Sequence, residues 1–167
     1  MIIAILTYHD EDNYGALLQA YATYKAILEL GHTPQIIDFR LHNNQQFFKY
    51  ILLRLKRYRF NRFRKKHFLC KTVKYTSLDE LRKFPPVADV YLMGSDQIWN
   101  GYDDFRYLTF ADQNKRIALA PSFGSSNIKD YYKSDIAKAL KKFSVLSSRE
   151  ESGVALIKNL SGKEAMR

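Results

Sequence analysis

The order of short apolar segments and helical segments limits the fold of this chain more than any other feature. Five apolar segments are predicted to be strands, at residues 2–8, 34–39, 89–93, 116–120 and 145–147. Helical patterns lie between them, and the first helix, at residues 15–30, is predicted to bury Leu17, Leu18, Tyr21, Tyr24 and Leu28. Strands that alternate with helices form a mostly parallel sheet with right-handed crossovers. The predicted fold class is therefore α/β, a three-layer Rossmann-like domain.

The length of 167 residues suits one domain of this class. We predict a single α/β domain over residues 1–160 and a polar tail over residues 161–167, where a second domain would begin. The only cysteine, Cys70, excludes an intrachain disulfide and a zinc site built from cysteines. The four histidines have no ligand spacing, so the sequence predicts no metal site.

Targeting signals are also absent from the sequence as given. No apolar run is long enough for a membrane-spanning helix. The N-terminal segment lacks the basic flank and the cleavage site of a signal peptide. The chain is therefore predicted to be cytoplasmic.

The positive charge is concentrated in one segment. The chain carries 27 basic and 17 acidic residues, a net charge of +10. Between Lys49 and Lys74 there are 11 Lys or Arg residues and no Asp or Glu, so the rest of the chain is nearly neutral. Apolar residues recur in this segment at spacings of three and four, which predicts an amphipathic helix. They are Phe48, Ile51, Leu52, Leu55 and Tyr58.

Three interpretations of the basic segment remain open. It is a solvated helix that packs by its apolar stripe, or a surface that lies against anionic lipid at the inner face of the membrane. The third interpretation is nucleic-acid binding, because aromatic side chains are interleaved with the cations. Nucleic-acid binding calls for a recognisable binding fold, and the sequence contains none, so no nucleic-acid partner is expected.

Polar side chains follow the predicted strands, and parallel sheets bind their ligands beyond the carboxyl ends of strands. After the first strand, Asn13 and Gly15 open a helix. Gly15 permits a tight turn, and the helix N-terminus offers unpaired N–H groups to an anion, unless Asn13 caps them. The GxGxxG and GxxxxGK patterns of dinucleotide and P-loop sites are both absent.

The loop after the third strand is the richest in groups that bind sugars. Ser95, Gln97 and Asn100 can form directional hydrogen bonds with hydroxyls. Trp99, the only tryptophan, offers an indole face to a sugar ring, and Asp96 is a candidate general base. The other interpretation is a capped turn with Trp99 in the core.

Two further loops complete the candidate site. Ser122 lies among small residues after the fourth strand, and Arg149 and Glu150 follow the fifth strand. Arg149 and Glu150 could alternatively form only an ion pair at a helix start. Four polar loops at the ends of parallel strands favour one joint site.

Four motifs, taken together, resemble the polysaccharide pyruvyl transferase family. They are NYGALLQAYA at 13–22, MGSDQIWN at 93–100, KRIALAPSFG at 115–124 and SVLSSREESGVALI at 144–157. Their order and spacing match across nearly the whole chain. The resemblance implies the N-terminal half of a glycosyltransferase-B-like fold. It also implies transfer of a pyruvyl group from phosphoenolpyruvate to sugar hydroxyls as a ketal, in surface or exopolysaccharide biosynthesis.

The resemblance also implies roles for individual residues. Asp96 would activate an acceptor hydroxyl, Gln97 and Asn100 would orient the acceptor, and Gly15 would leave room for it. Phosphoenolpyruvate would be a co-substrate, with no cofactor, and the acceptor would be a saccharide, lipid-linked in some members. A second domain would supply most of the cations for the donor.

Without that domain, the chain would be an expressed N-terminal domain or a truncated gene product. The alternative to an enzyme is a non-catalytic saccharide-binding protein, or a half-enzyme that depends on a partner. An isolated half-enzyme would expose an apolar face, and homo-oligomers would then be expected.

Overall fold

The sheet is entirely parallel and contains five strands. The computed structural model describes residues 1–40 and 50–167, without the side chains of residues 50–56. The strands are β1 (Ile2–Leu6), β2 (Thr33–Ile36), β3 (Val90–Met93), β4 (Arg116–Ala118) and β5 (Val145–Leu146). Their order in the sheet is β2-β1-β3-β4-β5, and every neighbouring pair is parallel. The predicted α/β class is confirmed.

The described residues form five α-helices, of which four lie between strands, as the sequence predicts, and the fifth follows β5. They are α1 (Tyr14–Glu29), α2 (Tyr50–His67), α3 (Leu78–Lys83), α4 (Asp130–Leu140) and α5 (Glu151–Ser161). Local signals define their ends: the Ser77 side chain accepts a hydrogen bond from the Glu80 amide at 3.2 Å, which caps α3. Gly31 follows α1 with a φ of +76°, a left-handed conformation that favours glycine.

The helices cover both faces of the sheet, which makes three layers. On one face, Ile3 and Ile5 of β1 share a buried cluster with residues of α1 and α2. On the other face, Ala4 and Leu6 of β1 share a second cluster with residues of α3, α4 and α5. Successive strand residues point to opposite faces, so both faces of β1 are buried. This is a Rossmann-like arrangement.

The buried faces of α1 and α2 differ in part from the prediction. In α1 the buried residues include Leu17, Ala20, Tyr24 and Ile27, whereas Leu18 and Leu28 are exposed. The predicted stripe was therefore wrong at Leu18 and Leu28. In α2, Phe60 is buried and Tyr58 is exposed, so the prediction was also wrong at Tyr58. The side chains of Phe48, Ile51, Leu52 and Leu55 lie outside the described residues.

The strand order reverses between β1 and β3, and this point of a parallel sheet forms a crevice at the carboxyl ends. Gly94, directly after β3, brings the two strand ends close together. A Cβ at Gly94 would lie 2.7 Å from the Cβ of Thr7, so a side chain there would force the strand ends apart. The crevice between β1 and β3 is therefore the expected place for a ligand.

The chain returns to the sheet after α5. Met166 pairs in parallel with Ser147 beyond β5, and the Ser148 amide donates to the Met166 carbonyl at 2.9 Å. The domain boundary between residues 160 and 161 stays a prediction.

Within the described residues, no helix has the length and apolar character needed to cross a membrane.

Candidate functional site

A cleft of about 610 Å³ opens at the carboxyl ends of β1 and β3. It contains six of the ten residues that the sequence predicts for the site. The six are Asn13, Gly15, Ser95, Asp96, Gln97 and Arg149. Four residues that were not predicted also line the cleft, namely Tyr8, Glu11, Ala16 and Gln19. The loops after β1, β3 and β5 therefore meet at one place.

Asp96 presents a carboxylate with one oxygen engaged. Its Oδ1 accepts a hydrogen bond from the Gln97 amide at 2.7 Å. Among the described residues, no donor forms a hydrogen bond with the other oxygen. The Asp96 carbonyl accepts from the Ser122 amide at 2.8 Å, which fixes the backbone of this loop. The arrangement leaves Oδ2 available to a ligand hydroxyl.

The end of β4 supports the same loop through a strained residue. The Ser95 hydroxyl donates to the Ala120 carbonyl at 3.1 Å. Ala120 has a φ of +48°, a left-handed conformation that is unfavourable for alanine. Its amide donates to Ser147 Oγ at 2.7 Å. These contacts connect the ends of β3, β4 and β5 behind the cleft.

Asn13 caps α1, so the N-terminal N–H groups of this helix are partly satisfied by the chain itself. Its Oδ1 accepts from the Gly15 amide at 2.8 Å and from the Ala16 amide at 3.2 Å. A Cβ on Gly15 would lie 3.3 Å from that oxygen. The structure therefore shows Asn13 as a helix cap, and Gly15 accommodates its close approach.

Tyr8 lies in the wall of the cleft directly after β1. Burial raises the pKa of its phenol, the carboxylates of Asp96 and Glu11 raise it further, and Arg106 opposes them. The phenol therefore stays protonated at neutral pH and can donate a hydrogen bond. The only signal for Tyr8 in the sequence is its position at the end of a predicted strand.

The charge of the cleft is mixed and slightly acidic. Glu11 and Asp96 contribute carboxylates, and Arg149 is the only cation among the described residues that line it. Arg149 also pairs with Glu150, at 3.0 Å from Nε to Oε1. A cleft with hydroxyl, amide and carboxylate groups suits a polyhydroxy ligand better than a multiply charged anion.

Trp99 is a core residue, and its predicted stacking on a sugar ring was wrong. The side chain is about 1% exposed. Its ring stacks on Tyr107 with centroids 5.5 Å apart and also packs against Phe123 and Phe143. Its Nε1 donates to the Arg106 carbonyl at 2.9 Å. Neither face of the indole is therefore available to a sugar.

Three other predicted residues lie outside the cleft. Ser122 is buried, and its Oγ accepts from the Gly124 amide at 2.9 Å, so it supports a turn. Ser122 and Glu150 line a neighbouring cavity of about 260 Å³ that shares Gln97 with the cleft. Asn100 lines a third cavity of about 380 Å³. The structure does not bring these three residues together with Asp96 in the cleft.

Arg64 of α2 fixes the loop after β1, although 52 or more residues separate the two in sequence. Its side chain is buried, and its Nε donates to the His9 carbonyl at 2.9 Å. Its Nη2 donates to the Glu11 carbonyl at 2.6 Å and to Asp12 Oδ1 at 3.1 Å. This loop carries Tyr8 and Glu11, so Arg64 positions one wall of the cleft.

A second polar cluster lies beside the cleft at the ends of β1 and β2. His9 Nε2 lies 3.1 Å from Asp38 Oδ1, and Arg40 also donates to both oxygens of Asp38. Burial by itself would raise the pKa of the Asp38 carboxyl, but these hydrogen bonds and charges lower it overall. In the described part of the chain, no three His, Cys, Asp or Glu side chains form a metal-binding group.

The comparisons with known proteins identify one family. The family model described as polysaccharide pyruvyl transferase matches residues 13–165, which is most of the chain. No curated protein and no solved structure gives a significant match. The matched region includes α1, the loops after β3, β4 and β5, and α5.

Proposed function

This chain belongs to the polysaccharide pyruvyl transferase family, and on that basis we propose that its cleft holds the saccharide acceptor while a pyruvyl group is transferred from phosphoenolpyruvate. The observation that carries the proposal is Asp96, which lines a cleft with hydroxyl and amide groups and whose Oδ2 has no hydrogen-bond donor among the described residues. Such groups recognise sugar hydroxyls.

The reaction that we propose joins one pyruvyl carbon to two acceptor oxygens. Two hydroxyls of the saccharide add to C2 of the enolpyruvyl group, the C–O bond to phosphate breaks, and inorganic phosphate leaves. Of the two hydroxyl protons, one reaches C3, which becomes a methyl group, and the other leaves with the phosphate. The product is a cyclic pyruvate ketal, and no redox change or cofactor is involved.

Asp96 is the proposed general base for an attacking hydroxyl. Its Oδ1 is held by the Gln97 amide, which orients the carboxylate and leaves Oδ2 to accept the hydroxyl proton. The Tyr8 phenol, kept protonated by its raised pKa, is placed to donate a hydrogen bond to the same ligand. The side chain of Gln97 would orient the acceptor from the cleft wall.

The donor calls for cations that the cleft largely lacks. Phosphoenolpyruvate carries a phosphate and a carboxylate, and such groups are bound by several arginines or lysines. Arg149 is the one cation that the described lining offers, and it is already paired with Glu150. We therefore propose that most of the donor contacts come from a second domain that closes over the cleft.

The acceptor in this proposal is a saccharide used for surface or exopolysaccharide biosynthesis, and the reaction takes place in the cytoplasm. The family supports the transferase and the polysaccharide parts of this proposal. A cytoplasmic reaction agrees with the use of phosphoenolpyruvate, which is a metabolite of that compartment.

The test uses the product of the complete gene, with phosphoenolpyruvate and a panel of nucleotide-linked and lipid-linked sugars. We expect release of inorganic phosphate together with a sugar whose mass has increased by one pyruvate ketal. The absence of transfer across the panel, together with an absence of phosphoenolpyruvate binding, would refute the enzymatic proposal.

A saccharide-binding protein without catalysis is the second candidate function. The shortage of cations in the cleft favours it, because a protein that only binds a saccharide does not have to hold a phosphorylated donor. The same panel separates the two candidates. Binding of a saccharide that depends on Asp96, without phosphate release in the presence of phosphoenolpyruvate, would support the binding protein.

A further inference from the structure

Helix α2 carries one face of cations on the side opposite to its buried residues. Phe60 and Arg64 are buried against the domain. At about 100° per residue, Arg62 lies on the opposite side of the helix, and Tyr58 and Lys65 lie beside it. Arg59 and Lys66 extend the same side, and all five side chains are exposed. We call Tyr58, Arg59, Arg62, Lys65 and Lys66 the cationic face.

The cations of this face have no acidic partners in the part of the chain that the structure describes. Within the described residues, no carboxylate forms an ion pair with Arg59, Arg62, Lys65 or Lys66, and the sequence of α2 contains no Asp or Glu. The exposed lysines of α4 differ, because Lys133 pairs with Asp130 at 2.7 Å and Lys138 with Asp135 at 3.7 Å. The described residues therefore do not compensate the charge of the cationic face, and an anionic partner would neutralise it.

Exposed apolar side chains lie within the cationic face and soon after α2 along the chain. Tyr58, within the face, is 63% exposed. Leu69 and Val73, in the segment that follows α2, are 79% and 73% exposed. Phosphates of nucleic acid would use the cations but not the two aliphatic side chains. A lipid interface uses both, because headgroups attract cations and the acyl boundary accepts apolar side chains.

We propose that the cationic face of α2 docks on the surface of an anionic membrane, with Leu69 and Val73 in contact with the lipid interface. The occupant is a bilayer with acidic headgroups, because its headgroups match the charge of this face and its interface matches the exposed apolar side chains. The docking itself does not depend on the proposed transfer reaction, so the two can fail separately.

The buried side of α2 contacts the loop beside the cleft, so docking of this helix would also orient the cleft. Arg64 donates to the carbonyls of His9 and Glu11, in the loop that forms one wall of the cleft. The cationic face and this loop are thus connected through one buried side chain. A docked α2 would hold the cleft at a fixed orientation to the bilayer, which suits an acceptor attached to lipid.

Vesicle sedimentation of the 167-residue chain tests the proposal. Vesicles of equal parts phosphatidylserine and phosphatidylcholine are compared with pure phosphatidylcholine, without substrates. Because each cation near an anionic surface contributes roughly fivefold, the triple variant Arg62→Gln, Lys65→Gln, Lys66→Gln should bind about 100-fold more weakly. The matched control, Lys138→Gln, Lys141→Gln, Lys142→Gln, removes the same charge from the opposite face of the sheet and should bind like the unchanged chain.

Three results would overturn the proposal. The first is an absence of preference for phosphatidylserine, and the second is an equal loss in both triple variants, which would indicate attraction by net charge alone. The third is retained vesicle binding in the first triple variant together with loss of binding to a double-stranded DNA oligonucleotide. In addition, Leu69→Ser with Val73→Ser should weaken vesicle binding at high salt and leave DNA binding unchanged.

Discussion

Replacement of Arg64 by methionine tests whether a buried cation of the basic segment holds the loop after β1. Methionine retains most of the length and apolar contact of the side chain but cannot donate hydrogen bonds. The variant loses the contacts to the carbonyls of His9 and Glu11, to the carboxylate of Asp12 and to Asn61 Oδ1. It therefore leaves four acceptors without this donor.

The expected cost depends on which of these acceptors water can reach. The contact with the His9 carbonyl is buried, and a lost hydrogen bond from a charged donor costs about 1.5–3 kcal/mol. The contacts with the Glu11 carbonyl, Asp12 Oδ1 and Asn61 Oδ1 are only partly buried, so water can replace much of each interaction. We expect each of these three to contribute below about 1 kcal/mol. The free energy of unfolding should therefore fall by about 3 kcal/mol.

Urea denaturation followed by circular dichroism measures this change. With a slope of about 2 kcal/mol per molar urea, the midpoint should fall by about 1.5 M. Arg62→Met is the matched control, because it removes the same group from the exposed side of the same helix and should cost below about 0.5 kcal/mol. Equal midpoints for the two variants would show that Arg64 does not hold the loop.

Two further predictions concern residues around the cleft. Gly153→Ala should lower the free energy of unfolding by about 1–3 kcal/mol, because the new Cβ would overlap Ser148 Oγ, and Ser148→Ala in the same chain should restore part of the loss. Equal stability of the Gly153→Ala variant and the unchanged chain would contradict this. Since His9 and Arg40 lower the folded-state pKa of Asp38, its ionisation contributes stability above the unfolded pKa of about 4, and this contribution is lost as the pH falls. The melting temperatures of the unchanged chain and of Asp38→Asn should thus differ above about pH 4, and the difference should narrow at lower pH. A difference that stays constant with pH would contradict a stabilising role for the Asp38 carboxylate.

The order of strands and helices could be predicted because its signals are local. Ser77 and Glu80 stand at the spacing of a helix cap, and Gly31 stands where a left-handed residue ends α1. These features depend on residues within one or two turns of each other. The polar loops at the strand ends also predicted a joint site at the carboxyl edge of the sheet, whereas its position between β1 and β3 required the strand order.

The buried faces could be predicted only in part, because they depend on distant parts of the chain. Both sides of α1 are rich in apolar residues, so periodicity alone does not separate the buried Leu17 from the exposed Leu18. Arg64 is one of eleven Lys or Arg residues between Lys49 and Lys74. Its burial follows from acceptors in a loop more than fifty residues away.

The position of Trp99 in the core also could not be predicted from the sequence. A tryptophan beside polar residues at a strand end fits both a sugar platform and a core residue. The aromatic residues that bury it, Tyr107, Phe123 and Phe143, come from later parts of the chain. Tyr8 was not predicted, because its position in the cleft can be recognised only once β1 and β3 are known to be adjacent.

The central claim is that Asp96 accepts the proton of an acceptor hydroxyl during pyruvyl transfer. The most direct measurement is the rate of ketal formation by the complete gene product with Asp96→Asn, compared with Asp79→Asn on the exposed side of α3 as the control. Loss of a general base should lower kcat by about 10²–10⁴-fold, with little change in the KM for phosphoenolpyruvate. An Asp96→Asn enzyme as fast as the Asp79→Asn control would contradict the claim.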